Sequence, residues 1–193
     1  MAEGTSFPKL VALGSHDIRT PLATIVGFAK TLERSVELEP PADRYVQMMA
    51  EASDEVKELL DELSVATRIE DGRYEPVRRE TDTRALADAA QERLGADRVR
   101  VSGDGASVTT DVEAVRRAVY SLIRATLRHG GLQEVDVVVR GSEIEVTPVK
   151  GGAAPVVLGR DLRDFGAAVA GLAISTLGGA VTVDGETLRI RLA

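Results

Sequence analysis

Toward the N-terminus, apolar residues recur at alternating steps of four and three. Ile18, Leu22, Ile25, Ala29, Leu32 and Val36 form one series. Tyr45, Met49, Ala52, Val56, Leu59, Leu63 and Ala66 form a second. This spacing keeps one narrow stripe on one side of a helix, as in a coiled coil. The segment ELEPPAD separates the two series. Its prolines end the first helix, and Pro41 or Asp43 starts the second. A long helical hairpin is predicted. A lone hairpin buries only part of such stripes, so two copies are expected to pair as a four-helix bundle, a homodimer. Packing of the hairpin against the rest of the chain is the alternative.

The period changes beyond RIEDGRYEP. Thr81–Leu94 reads as a helix capped by Thr81 or Asp82. Arg98–Val101 reads as a short strand. Asp111–Arg128 is amphipathic, with Val112, Val115, Val119, Leu122, Ile123 and Leu127 on one face. Glu134–Val139 and Glu143–Thr147 alternate as strands joined by RGSE, and Ala180–Val183 and Thr187–Arg191 as strands joined by DGE. A further helix falls within Asp161–Leu177. The expected class is α+β: the hairpin, then an α/β sandwich with mainly antiparallel strands. The expected domains are residues 1–75 and 76–193.

Composition narrows the chemistry. The 193-residue chain is 44% hydrophobic but only 3% aromatic, so its core must be aliphatic. A net charge of −7 argues against a nucleic-acid surface. The absence of cysteine removes disulfides, thiolate metal sites and thiol nucleophiles, and fits a cytoplasmic setting. No signal peptide is read at the N-terminus. The run Phe165–Val183 is uncharged throughout, close to a membrane span in length. It is rich in Gly and Ala, and Gly178-Gly179 interrupts it, so a buried helix, a turn and a strand are expected instead and no membrane partner.

The most informative stretch is SHDIRTPL, Ser15–Leu22. His16 points away from the first apolar stripe, and Thr20, Ala23 and Gly27 follow it on the same helical face. A partner could approach closely over such small side chains. Pro21 removes the backbone donor to the carbonyl of Asp17 and should loosen or kink the helix just beyond His16. A neutral imidazole carries a lone pair near neutral pH and can act as a nucleophile. Asp17 is a candidate to hold the other ring proton. Thr20 is placed to orient a water or a phosphoryl oxygen. His129, before Gly130-Gly131, reads as a helix-terminal residue facing the dipole, without a catalytic role. Asp54, Glu55, Glu58, Asp61 and Glu62 read as a solvated face.

SHDIRTPL resembles the H-box of sensor histidine kinases, the phosphoacceptor motif of their dimerisation domain. LLDELSVATRIEDGRYEP resembles the end of that domain's second helix, and the resemblance runs on through the ATP-binding domain. It implies that His16 accepts a phosphoryl group, that Asp17 assists it, and that Thr20 holds the position tied to dephosphorylating a response regulator. Arg19, Ala23 and Gly27 are expected to contact a docked receiver domain. The implied partners are response regulator receiver domains and a second copy of the chain.

The ATP site departs from the family pattern in three places. The helix that should carry two asparagines reads VYSLIRATLRHG, with Ser121 and Ala125 at those positions. The adenine-reading aspartate falls at about Val149, within PVKGGAAP. Only VVLGRDLRD separates Pro155 from the next helix, which is short for a lid, and alanines follow where glycines would approach phosphate. A degenerate site without autokinase activity is expected, hence no cofactor of the chain's own, with magnesium supplied by the receiver. The expected function is histidine phosphotransfer in a phosphorelay. The alternatives are a divergent active kinase and a receiver-binding scaffold or phosphatase.

Overall fold

The computed structural model describes residues 7–35 and 40–193. The chain forms two compact units, Met1–Arg73 and Tyr74–Ala193.

The first unit is a hairpin of two helices, α1 (Phe7–Ser35) and α2 (Ala42–Glu70). Helix α1 runs through Pro21 without interruption. Val36 and residues 37–39 of the connection lie outside the described residues. The contact between the helices follows the expected stripes only in part, since Leu22 and Ala29 of the first series lie in it while the second series is displaced by one position. On α2 the buried residues are Val46, Ala50, Ser53, Leu60 and Thr67, one position after the expected series. On α1 they include Ser15 and Ala29, with Val11, Arg19, Leu22 and Val26 half-buried on the same strip. Small residues let the backbones approach. Ser15, Ser53 and Thr67 can be buried because each hydroxyl donates to a carbonyl one turn back: Val11, Met49 and Leu63. The larger apolar residues Ile18, Ile25, Phe28, Leu32, Tyr45, Met49, Val56 and Leu59 remain exposed. Each helix therefore carries two adjacent strips: a small one facing its partner helix, and a large apolar one facing out.

The second unit places β1 (Arg78–Asp82), α3 (Thr83–Leu94), β2 (Val99–Gly105), β3 (Ser107–Asp111), α4 (Val112–Gly130), β4 (Val135–Gly141), β5 (Glu143–Thr147), α5 (Ala153–Val157), α6 (Phe165–Thr176), β6 (Ala180–Asp184) and β7 (Thr187–Arg191) in that order. Asp82, Asp111 and Asp164 cap α3, α4 and α6, each accepting a backbone N–H of the first turn. Gly131, left-handed at φ 61°, ends α4 as the Gly-Gly pair suggested. The five-stranded sheet has the order β2-β4-β5-β7-β6. All its pairings are antiparallel except β2 with β4, which is parallel. β1 and β3 form a separate antiparallel pair that the sequence reading did not anticipate. β2 also runs beyond Val101. Its Gly103 has φ 86°, and a Cβ there would stand 2.2 Å from the Val139 carbonyl oxygen, so only glycine allows this pairing.

The sheet is two-faced. Val99, Val135, Val137, Val139, Ile144, Val146, Leu188 and Ile190 form one face of the core with the apolar sides of α3, α4, α5 and α6. The other face is polar. There Arg100 pairs with Glu134 and Asp136, and Arg189 joins Glu143, Glu145 and Asp184. The uncharged run from Phe165 becomes α6, a turn and β6. Among the described residues no helix is long and apolar enough to cross a membrane.

Candidate phosphoacceptor site

His16 lies in the third of the roughly eight turns of α1. Ser15, just before it, is 3% exposed against α2, while His16 itself is exposed. Thr20, Ala23 and Gly27 are exposed on the same strip, and a Cβ on Gly27 would meet nothing within 4 Å. The large apolar strip of Ile18, Ile25 and Leu32 runs along the opposite side of the helix. The result is an imidazole at the end of a low, open track, as the spacing predicted. The backbone of Asp17 is helical, but its side chain lies outside the described residues. An exposed imidazole can use one ring nitrogen as a nucleophile toward phosphorus.

Arg19 stands differently from expectation. Its guanidinium is turned into the hairpin. Nη1 donates to Asp61 Oδ1 at 2.6 Å, and Nη2 donates to the Leu60 carbonyl at 3.1 Å and to Ser64 Oγ at 3.0 Å. Ser64 in turn donates to the Leu60 carbonyl at 2.8 Å. Asp61 is therefore half-buried and paired, not part of a uniformly solvated acidic face. Sequence separation hid this contact, because the cross-helix register is not written in either helix alone.

In the second unit, the positions implied to serve nucleotide are core. Ser121 is 2% exposed, Ala125 0% and Val149 5%. Ala125 and Val149 belong to one apolar cluster with Ala153, Val156 and Val157, so α5 fills the space beside α4 with aliphatic side chains. The Val149 amide is held by the Glu186 carbonyl at 2.7 Å. Arg124, on the same helix, is drawn into the structure rather than left in solvent. It is half-buried over the Tyr120 ring, 5.4 Å from its centroid, and its Nε is buried without a hydrogen-bond partner. Arg93 covers the same ring at 3.8 Å. His129 also has a role the sequence did not reveal: its Nε2 lies 3.1 Å from Asp164 Oδ2. Among the described residues no three His, Asp or Glu side chains are grouped to hold a metal ion.

Comparison with known proteins agrees with this geometry. Residues 9–72 match the family described as the His Kinase A (phospho-acceptor) domain. The fold of the whole chain is similar to that of full-length ShkA crystallised with AMPPNP, with TM-score 0.66 and 17% identity over 96% of this chain. This chain spans 45% of the length of that ShkA structure. It is also similar to the Acinetobacter baumannii histidine kinase AdeS, with TM-score 0.56 and 14% identity over 92% of this chain and 97% of AdeS. The cytoplasmic segment of histidine kinase QseC matches at TM-score 0.51 and 14% identity, over 72% of this chain and 93% of that one. No curated protein sequence matches. Residues 9–72 are thus similar to a histidine-kinase phospho-acceptor domain, and the chain shares its fold with these histidine kinase structures.

Proposed function

We propose that this chain is a histidine phosphotransfer protein of a two-component phosphorelay, carrying phosphate on His16. A receiver domain bearing an aspartyl phosphate docks along the strip of Thr20, Ala23 and Gly27. An imidazole nitrogen of His16 attacks phosphorus in line. The N–P bond forms, the acyl P–O bond breaks, and the aspartate leaves as a carboxylate. Transfer to a second receiver reverses these bond changes. The receiver supplies the magnesium. Asp17 would fix the ring tautomer, and Thr20 would orient the phosphoryl group or a water.

The observation that carries this reading is the exposure of His16 at the head of a strip of small side chains within a phospho-acceptor domain. The aliphatic filling around Ala125 and Val149 favours receipt from another protein over charging from nucleotide. The exposed apolar strips of both helices favour a homodimer, since burial of each such side chain contributes about 1.5–3 kcal/mol.

Two parallel incubations test the reading. Radiolabelled phosphate from a phosphorylated receiver is expected on the wild-type protein and not on His16→Ala. Label on His16 from ATP and magnesium alone, with no receiver present, would make the chain an active kinase instead. Receiver dephosphorylation that is lost in Thr20→Ala, with no phosphohistidine at any time, would make it a phosphatase.

A further inference from the structure

We infer that Arg19 is a positioning residue for His16, acting through α1 and its grip on α2. This rests on the reading of His16 as phosphoacceptor. Arg19 lies three residues after His16, just before the helix loses a backbone hydrogen bond. Pro21 has no N–H, so the Asp17 carbonyl has no helical donor one turn later. That weak point sits within one turn of the reacting residue. At this level the guanidinium anchors α1 with three contacts to α2, made to Asp61, the Leu60 carbonyl and Ser64. The contact to Asp61 is charge-assisted, and the planar fork fixes direction as well as distance. The acceptors are mutually braced, because Ser64 also donates to Leu60.

The geometry defines what the grip controls. Ser15 and Arg19 face α2, and Ile18 and Ile25 lie on the large apolar strip, so the rotation of the helix about its axis decides whether His16 stands over the open track of small side chains or turns toward one of these strips. A helix turn of one residue, about 100°, would bring His16 toward α2 or toward the apolar strip. The remaining inward residues near this level are small or aliphatic and specify rotation weakly. Arg19 is the polar group that indexes it. A lysine at the same place keeps the charge but cannot reach three acceptors in one plane.

The chain has only two histidines, so ring resonances report directly. Nitrogen-15 histidine spectra of the full chain are compared for wild type, Asp61→Asn, Arg19→Lys and Ser64→Ala. The rate at which potassium phosphoramidate phosphorylates His16 is measured in parallel. In that reaction an imidazole N–P bond forms, the reagent's P–N bond breaks, and ammonia leaves. Asp61→Asn and Arg19→Lys are expected to shift or broaden the His16 signals while those of His129 stay fixed. In these variants the phosphorylation rate should fall about tenfold, less than the roughly hundredfold that a 1 Å misplacement costs in a fully preorganised site, because the phosphoryl donor diffuses freely. Ser64→Ala, which removes one acceptor, should move both readouts less and in the same direction. Asp61→Glu should restore part of the rate. A residue that merely stabilised the hairpin would lower its melting temperature and leave the His16 signals in place. That result, or unchanged spectra and rates in all variants, overturns the inference. If Asp61→Asn does not fold, Arg19→Lys and Ser64→Ala decide. A wild-type protein that phosphoramidate never labels at His16 would sink the phosphotransfer reading alone, because the spectra still decide the positioning claim.

Discussion

His129 Nε2 lies 3.1 Å from Asp164 Oδ2, and this pair ties the last turn of α4 to the N-cap of α6. The other oxygen of the same carboxylate accepts the Ala167 amide at 3.0 Å. Both side chains are largely buried, 14% exposed for His129 and 3% for Asp164. One carboxylate thus caps a helix and satisfies a buried imidazole. Asp164→Ala removes both partners and should destabilise the second unit by about 2–3 kcal/mol. Asp164→Asn keeps a good cap and should cost less than half as much. Urea unfolding, with hydrogen exchange of the α6 amides, measures both. Equal stabilities for Asp164→Ala and wild type would refute the dual role.

Restoring the residue that the kinase resemblance implies at Val149 should harm the protein. Val149 is 5% exposed among aliphatic neighbours. A carboxylate there would lose water without gaining a partner, a cost of about 3 kcal/mol or more, or it would take up a proton. Val149→Asp is therefore expected to melt lower than wild type, with no recovery on adding magnesium and ATP. A nucleotide-dependent rise in its melting temperature would mean that the pocket needs only its acid.

The apolar strip of the hairpin makes a separate prediction. Ile25 and Phe28 are 45% and 67% exposed, and both belong to the outward strip rather than to the α1–α2 contact. Ile25→Glu with Phe28→Glu should leave the helical content of each hairpin intact and convert a homodimer to a monomer. Light scattering after size exclusion gives the mass. A wild-type protein that is already monomeric at micromolar concentration would refute the dimer.

The hairpin and the alternating strands were legible because their periods are local. The strip facing the partner helix was not. Large residues such as Ile18, Met49 and Val56 dominate the pattern, yet the contact within the chain uses Ser15, Ala50 and Ser53, and only Leu22 and Ala29 of the first series. Serine can sit there only because its hydroxyl turns back to a carbonyl of its own helix, which a polar-versus-apolar reading counts as a surface signal. β1 and β3 escaped notice because RRETD and SVTTD carry little apolar alternation and find their order in each other's backbone. α5 escaped because AAPVV is a single turn with proline in its middle. The exposed, helical placement of His16 was legible from one octapeptide. The engagement of Arg19 was not, since Asp61 lies 42 residues away on the other helix.

The polar face of the sheet should show itself in acid. Glu145 accepts from Arg140 at 3.0 Å and from Arg189 at 3.1 Å. These hydrogen bonds, that from Arg140 first, hold its carboxyl below the ordinary glutamate value of 4.5, against the opposing effect of partial burial. A folded-state value below the unfolded one means that the unfolded chain binds the proton more readily. The stabilisation is therefore complete above the unfolded value and is lost as pH falls through the lower, folded one. Arg189 is shifted upward by the same bond and by Asp184, so it stays charged across this window and the carboxylate alone titrates. Glu145→Gln should be less stable than wild type near neutral pH and should lose less on acidification, so the two stability curves converge below about pH 4. Urea midpoints from about pH 7 down to about pH 3 give both curves. Added salt should narrow the gap at neutral pH, because the bridging arginines are partly solvated. Parallel curves would mean that the ladder orients the strands without contributing to their stability.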